Sequence, residues 1–176
     1  MMMLVQAATP QTLEDGLIRA AAQGDRAAFG ELYSRYARMV HGILLARVPP
    51  GDAEDLVQDV FLSAMNQLGM LRTAAAFPGW LATIARHRAM DHHRRARNLA
   101  PLDDHTVRTR GTPGTETGAF EVLELIRSLP EAYRETLILR LVEGMTGPEI
   151  AARTGLTPES VRVNLCRGMK MLRRLL

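Results

Sequence analysis

Apolar residues recur at three- and four-residue spacing through almost the whole chain, and no segment alternates apolar and polar residues long enough to make a strand. That pattern admits one class of fold, all-α, and proline and glycine mark where its helices stop. A short first helix is expected over Thr12 to Gln23, with Gly24 ending it and Asp25 capping the next. The second should run to about Val48, burying Phe29, Leu32, Tyr33, Tyr36, Val40, Ile43 and Leu44, before Pro49-Pro50-Gly51 breaks it. The segment from Asp52 to Leu68, DAEDLVQDVFLSAMNQL, puts Leu56, Val57, Val60, Phe61, Ala64, Met65 and Leu68 on one face of a third helix. A loop around Gly69 to Ala76 precedes a fourth, whose first turn tolerates Pro78 and whose buried face is Phe77, Trp80, Leu81, Ile84 and Ala85.

From Leu99 to Gly118 the period is lost. LAPLDDHTVRTRGTPGTETG is rich in Thr, Gly, Pro and Asp and reads as a flexible linker of about 20 residues. The expectation is two small helical domains, 12–98 and 119–176, joined by 99–118. In the second, Phe120 to Leu129 and Pro130 to Val142 carry stripes that include Leu123, Ile126, Leu129, Leu137, Ile138 and Leu141. The chain then takes the form of a helix-turn-helix. Pro148 to Thr154 makes a short helix, Gly155 supplies a positive-φ turn, and Leu156 plugs the core. Thr157 caps a second helix that begins at Pro158.

With 176 residues, of which 47% are hydrophobic, the chain has ample material for packed cores, which excludes disorder throughout. A single cysteine, Cys166, allows no internal disulfide and no cysteine-based zinc site, as suits a reducing compartment. No apolar run approaches the roughly 20 residues of a membrane span. MMMLVQAATP lacks the basic flank and apolar core of a signal peptide, so a cytoplasmic location without membrane contact is expected.

Charge points to partners. The formal net charge is +3, and of the 22 basic residues only Lys170 is a lysine. Guanidinium groups favour planar, bidentate contacts to phosphate, carboxylate or guanine. Five of them, Arg86, Arg88, Arg94, Arg95 and Arg97, crowd the end of the fourth helix, where such density attracts phosphate. His87, His92 and His93 lie among them without a zinc-hydrolase spacing, and the arginines would repel a cation. Neutral hydrogen bonding to DNA suits them better, and no metal or cofactor is expected. In the last helix Val161, Leu165, Met169 and Leu172 point inward, leaving Glu159, Ser160, Arg162, Val163, Asn164, Arg167 and Lys170 outward. Ser160, Arg162 and Asn164 can reach base edges, while Arg167 and Lys170 suit phosphate. Against this basic background Asp52, Asp55, Gln58 and Asp59 share an acidic face of the third helix, which is either a solvated face opposing the helix dipole or a dock for a basic protein.

The order of these parts resembles a bacterial alternative sigma factor of the extracytoplasmic-function (ECF) group, from about Asp15 to Leu176. GDRAAFGELYSRYARMVHGILLARV is similar to the opening of the group's first domain, and DAEDLVQDVFLSAMNQL to its polymerase-clamp-binding helix. FPGWLATIARHRAMDHHRRARN is similar to its promoter-melting and minus-10-reading region. LPEAYRETLILRLVEGMTGPEIAARTGLTPESVRVNLCRGMKMLRRL is similar to its minus-35-reading domain. The resemblance implies that Asp52, Asp55, Gln58 and Asp59 bind core RNA polymerase, and that the loop from Gly69 to Phe77 helps hold an unstacked base. It places Trp80, Arg86, His87, Arg94 and Arg95 near opened minus-10 DNA, and Thr157, Glu159, Ser160, Arg162, Val163, Asn164, Arg167 and Lys170 at the minus-35 element. Binding energy would then open the duplex. It also implies an anti-sigma factor as a further partner. Gly147-Pro148 and Arg162-Val163-Asn164-Leu165-Cys166 depart from the group's commoner residues, so no promoter sequence is read from them. The alternative is a conventional dimeric helix-turn-helix regulator with a sensing N-terminal domain, which predicts symmetric half-sites. An enzyme has little support, because no nucleophile-base pair, phosphate loop or metal cluster stands out.

Overall fold

The computed structural model describes residues 10–99 and 117–176, and among these it contains eight α-helices, two 3-10 turns and no strand. The helices are α1 (Pro10–Ala22), α2 (Arg26–Leu45), α3 (Pro50–Gln67), α4 (Phe77–Leu99), α5 (Thr117–Ser128), α6 (Glu131–Leu141), α7 (Gly147–Thr154) and α8 (Pro158–Leu172). The 3-10 turns, Leu68–Met70 and Ala74–Ala76, occupy the expected loop between α3 and α4. The linker expected over 99–118 falls mostly outside the described residues; at its edges Leu99 already belongs to α4, and Thr117 and Gly118 to α5.

Local chemistry sets the boundaries. Gly24 takes a φ of 96°, and the Asp25 carboxylate accepts from the backbone N–H groups of Ala27 and Ala28 at 2.9 and 3.1 Å, satisfying donors that the helix start leaves open. Before α7, Thr146 and Glu149 form a reciprocal capping box: the Thr146 N–H donates to Glu149 Oε2 at 2.7 Å, and the Glu149 N–H to Thr146 Oγ1 at 3.4 Å. Gly155 turns the chain at φ 76°, where a side chain would be strained, and Thr157 Oγ1 accepts from the Ser160 N–H at 3.1 Å to start α8.

Helices α1 to α4 bury Leu32, Tyr36, Ile43, Val60, Phe77 and Leu81, and α5 to α8 bury Ile126, Leu137, Ile138, Ile150, Val161 and Leu172. Three residues expected in the core differ. Tyr33 lies with its ring centroid 4.5 Å from that of Phe61 but keeps one edge in solvent. Met65, one position past the buried Ala64, has rotated out to 49% exposure. Leu141 is exposed while Leu139 is fully buried, because α6 packs on two sides.

The second side of α6 lies against the first domain. An ideal Cβ on Gly42 of α2 would sit 2.7 Å from Leu139 Cδ2, so the absence of a side chain there lets α2 and α6 approach. Helix α4 also meets the end of α7, where a Cβ on Gly79 would lie in ordinary contact, 3.7 Å from the Gly155 Cα. The second domain thus meets the first through α6 against α2 and through α7 and its following turn against α4.

Candidate nucleic-acid and polymerase interface

On α3 the buried stripe turns Asp55, Gln58 and Asp59 to solvent, and among the described residues Asp55 and Asp59 form no ion pair. Asp52 is half-buried, with its carboxylate 3.3 Å from His92 Nε2. Leu62 and Met65 continue the same exposed face toward the end of the helix. The acidic face therefore runs into an apolar one, which a search for charge alone overlooks; the available signal was that Leu62 stands outside the buried stripe.

The basic stretch of α4 is divided. His87, Arg94 and Arg95 are exposed, and Arg94 stands 3.8 Å from Asp91. Trp80 is half-buried, its ring 5.9 Å from that of Phe77. Arg86 faces the second domain, where its Nε and Nη2 donate to the two carboxylate oxygens of Glu135 at 3.1 and 2.6 Å, and Nη2 also donates to the Thr154 carbonyl at 3.2 Å. Arg88 instead ties α4 to α3 by a hydrogen bond to Ser63 Oγ. The three histidines do not converge: His92 meets Asp52, while His93 Nε2 lies 2.6 Å from the Arg47 carbonyl. In the loop before α4, Met70 is 73% exposed, an uncovered apolar side chain in the segment expected to hold a base.

Along α8, Thr157 and Ser160 are tied to one another by the cap, and Glu159 and Arg162 pair at 3.1 Å on the exposed surface. Arg167 and Lys170 are exposed, as is Cys166. Val163 and Asn164 are half-buried, and Asn164 lines a cleft of about 310 Å³ together with Arg47, Arg86, Glu131 and Glu135. Sequence reasoning missed Arg47. Its guanidinium bonds Glu135 at 2.8 Å and Glu131 at 3.2 Å, and it donates to the Ile43 carbonyl at 3.0 Å.

These contacts shift protonation. Burial pushes the Glu135 carboxyl up, but the hydrogen bonds and charge of Arg86 and the charge of Arg47 outweigh it, and the net displacement is downward. Nearby, the hydrogen bond from His41 Nδ1 to Glu143, at 2.6 Å, raises the imidazole pKa against an opposing effect of burial, and the charges of Glu143 and Glu54 add to the rise. At the capping box the backbone and side chain of Thr146 hold the Glu149 carboxyl below its ordinary value.

Residues 32–99 match the family model for sigma-70 region 2, and residues 119–172 that for sigma-70 region 4. The RNA polymerase sigma factor CarQ of Myxococcus xanthus is 33% identical over 159 residues, covering 87% of this chain and 91% of that protein. The ECF RNA polymerase sigma factor SigM of Mycobacterium tuberculosis is 32% identical over 163 residues, covering 91% and 83%. The chain belongs to the ECF group of RNA polymerase sigma factors. A solved structure of CnrH in complex with the cytosolic domain of CnrY is similar to this sigma factor with a TM-score of 0.64 at 27% identity, covering 92% of this chain and 96% of that one. As an alternative sigma factor the protein recognises promoters, and the succession of region 2 and region 4 disfavours the conventional dimeric regulator. In its region 2 lie the acidic face of α3 and the basic end of α4; in its region 4 lies the recognition helix α8.

Proposed function

We propose that this sigma factor docks on core RNA polymerase through Asp55, Gln58 and Asp59, with Asp52 at the edge of the contact and Leu62 and Met65 as its apolar extension. The observation that carries this reading is the exposure of Asp55 and Asp59 without an ion-pair partner in the described chain, on a helix whose other face is fully used in packing. Opposed charges speed and orient association, and the apolar strip supplies contact area. Trp80, Arg86, His87, Arg94 and Arg95 then follow the opened minus-10 strand, with Met70 beside the extruded base. Thr157, Glu159, Ser160, Arg162, Val163, Asn164, Arg167 and Lys170 meet the minus-35 element.

In this reading the protein works by binding and not as an enzyme. Its domains, 12–98 and 119–176, act as separate grips joined by 99–118. Its place is the cytoplasm, where polymerase and promoter are found; no described helix is long and apolar enough to cross a membrane. An anti-sigma factor is the third partner, supported by the complex in which the related CnrH was solved. Charge reversal tests the polymerase face. Asp55→Lys combined with Asp59→Lys is expected to lower affinity for core polymerase at least about tenfold in a competition assay, with the circular dichroism of the wild type retained. Unchanged affinity would reject the assignment.

A further inference from the structure

Arg86 and Asn164, assigned to two different promoter elements, line one cleft. Elements named for positions 10 and 35 lie about 25 base pairs apart, roughly 85 Å at 3.4 Å per pair. A compact chain of this length has a radius of gyration of about 16 Å and so a diameter of about 40 Å. The arrangement described here therefore cannot span a promoter. The 18 peptide steps from Leu99 to Thr117 reach about 60 Å when extended, enough to separate the domains to promoter distance.

One of the ties between the domains is chemically specific. Glu135 is 5% exposed and lies between two guanidinium groups, from Arg47 of the α2–α3 connection and Arg86 of α4. Arg86 meets it with two parallel bonds, the geometry by which arginine binds a carboxylate or a phosphate alike. We propose that Arg47 and Arg86 are a phosphate-binding pair for the promoter backbone, and that Glu135 occupies the pair in the free protein as an internal stand-in for that phosphate, keeping the two domains closed. On opening, the DNA phosphate takes the place of the carboxylate and Glu135 returns to water. No bond is made or broken covalently. Removing Glu135 leaves two close cations facing each other in a partly buried cleft, which favours separation.

The inference rests on the assignment of Arg86 to DNA, and the test separates the two. Dyes are attached to the native Cys166 and to a cysteine introduced by Met65→Cys, both exposed, one in each domain. The DNA probe is a single-stranded oligothymidylate of about 12 nucleotides, which reports backbone contacts. Glu135→Gln in the full chain is expected to lower energy transfer between the dyes and to raise oligonucleotide affinity at least about fivefold. Gly42→Leu, which wedges α2 from Leu139 without touching the arginines, should do the same and stands in if Glu135→Gln fails to fold. In the opened protein, Arg47→Ala and Arg86→Ala should each weaken binding and reduce the salt slope by about 0.7. If Arg86→Ala weakens binding but neither opener changes energy transfer or affinity, Arg86 contacts DNA and the internal lock is rejected. If the openers separate the dyes but Arg47→Ala and Arg86→Ala leave affinity and salt slope unchanged, the pair does not bind phosphate, and the proposal falls with the assignment of Arg86.

Discussion

Gly168 illustrates how little a single position can say before its neighbours are known. In the sequence it is a poor helix former within the recognition helix; in the structure it is buried, and an ideal Cβ there would lie 2.9 Å from Leu137 Cδ1 and 3.1 Å from Tyr133 Cβ. Helix propensity favours alanine by about 1 kcal/mol, but overpacking a close helix crossing costs about 1 to 3 kcal/mol. Gly168→Ala is therefore expected to lower the midpoint of chemical unfolding, and a rise in that midpoint would mean the crossing relaxes freely. Other residues were legible at once, since their chemistry is local. Asp25 and Thr157 cap helices as their types and spacing required, and Gly155 takes the left-handed turn. Arg47 was not legible, because its partners Glu131 and Glu135 lie far along the chain and no local pattern links them.

Among the elements, α3 and α6 define what periodicity can and cannot reveal. The apolar stripe of α3 correctly placed Leu56, Val57, Val60, Phe61 and Ala64 inside and Asp55, Gln58 and Asp59 outside. It assigned Met65 to the wrong side, since one residue advances a helix by about 100° and the sequence alone does not fix where a stripe ends. The exposure of Leu62 beside the acidic residues follows from the same geometry. Leu62→Ser should reduce core polymerase binding severalfold with the unfolding midpoint unchanged, whereas a fall in stability with full binding would return Leu62 to a packing role. Helix α6 is harder to read because both its sides are buried. Glu135 and Leu139 stand four residues apart on one side and face the first domain, while Leu137 packs against Gly168 of its own. A charged residue on such a helix looks like surface until its partner is found.

For the whole molecule, the succession of two helical units was legible from the loss of period after Leu99, but their mutual packing was not, because it depends on pairs such as Gly42 with Leu139 and Arg86 with Glu135. That packing has a pH dependence of definite sign. His41, which faces Glu143, Arg38 and Glu54, has a folded pKa above its ordinary 6.5, so its contribution is fully present below about 6.5 and is lost as pH rises through the higher folded value. Glu135 has a folded pKa below its ordinary 4.5, so its contribution is present above about 4.5 and is lost as pH falls through the lower folded value. Stability should then be greatest between about pH 4.5 and pH 6.5 and should decline as pH rises above about 6.5 in the wild type, with His41→Gln flattening the decline. An equal decline in the variant would assign the effect to other groups.

The most direct test of the account is run-off transcription by purified core polymerase, with and without this protein, on a fragment carrying the sequence upstream of its own coding region. The account predicts a discrete transcript that appears only when the protein is added and is lost with the Asp55→Lys, Asp59→Lys variant. Absence of both a transcript and any binding to core polymerase would contradict it.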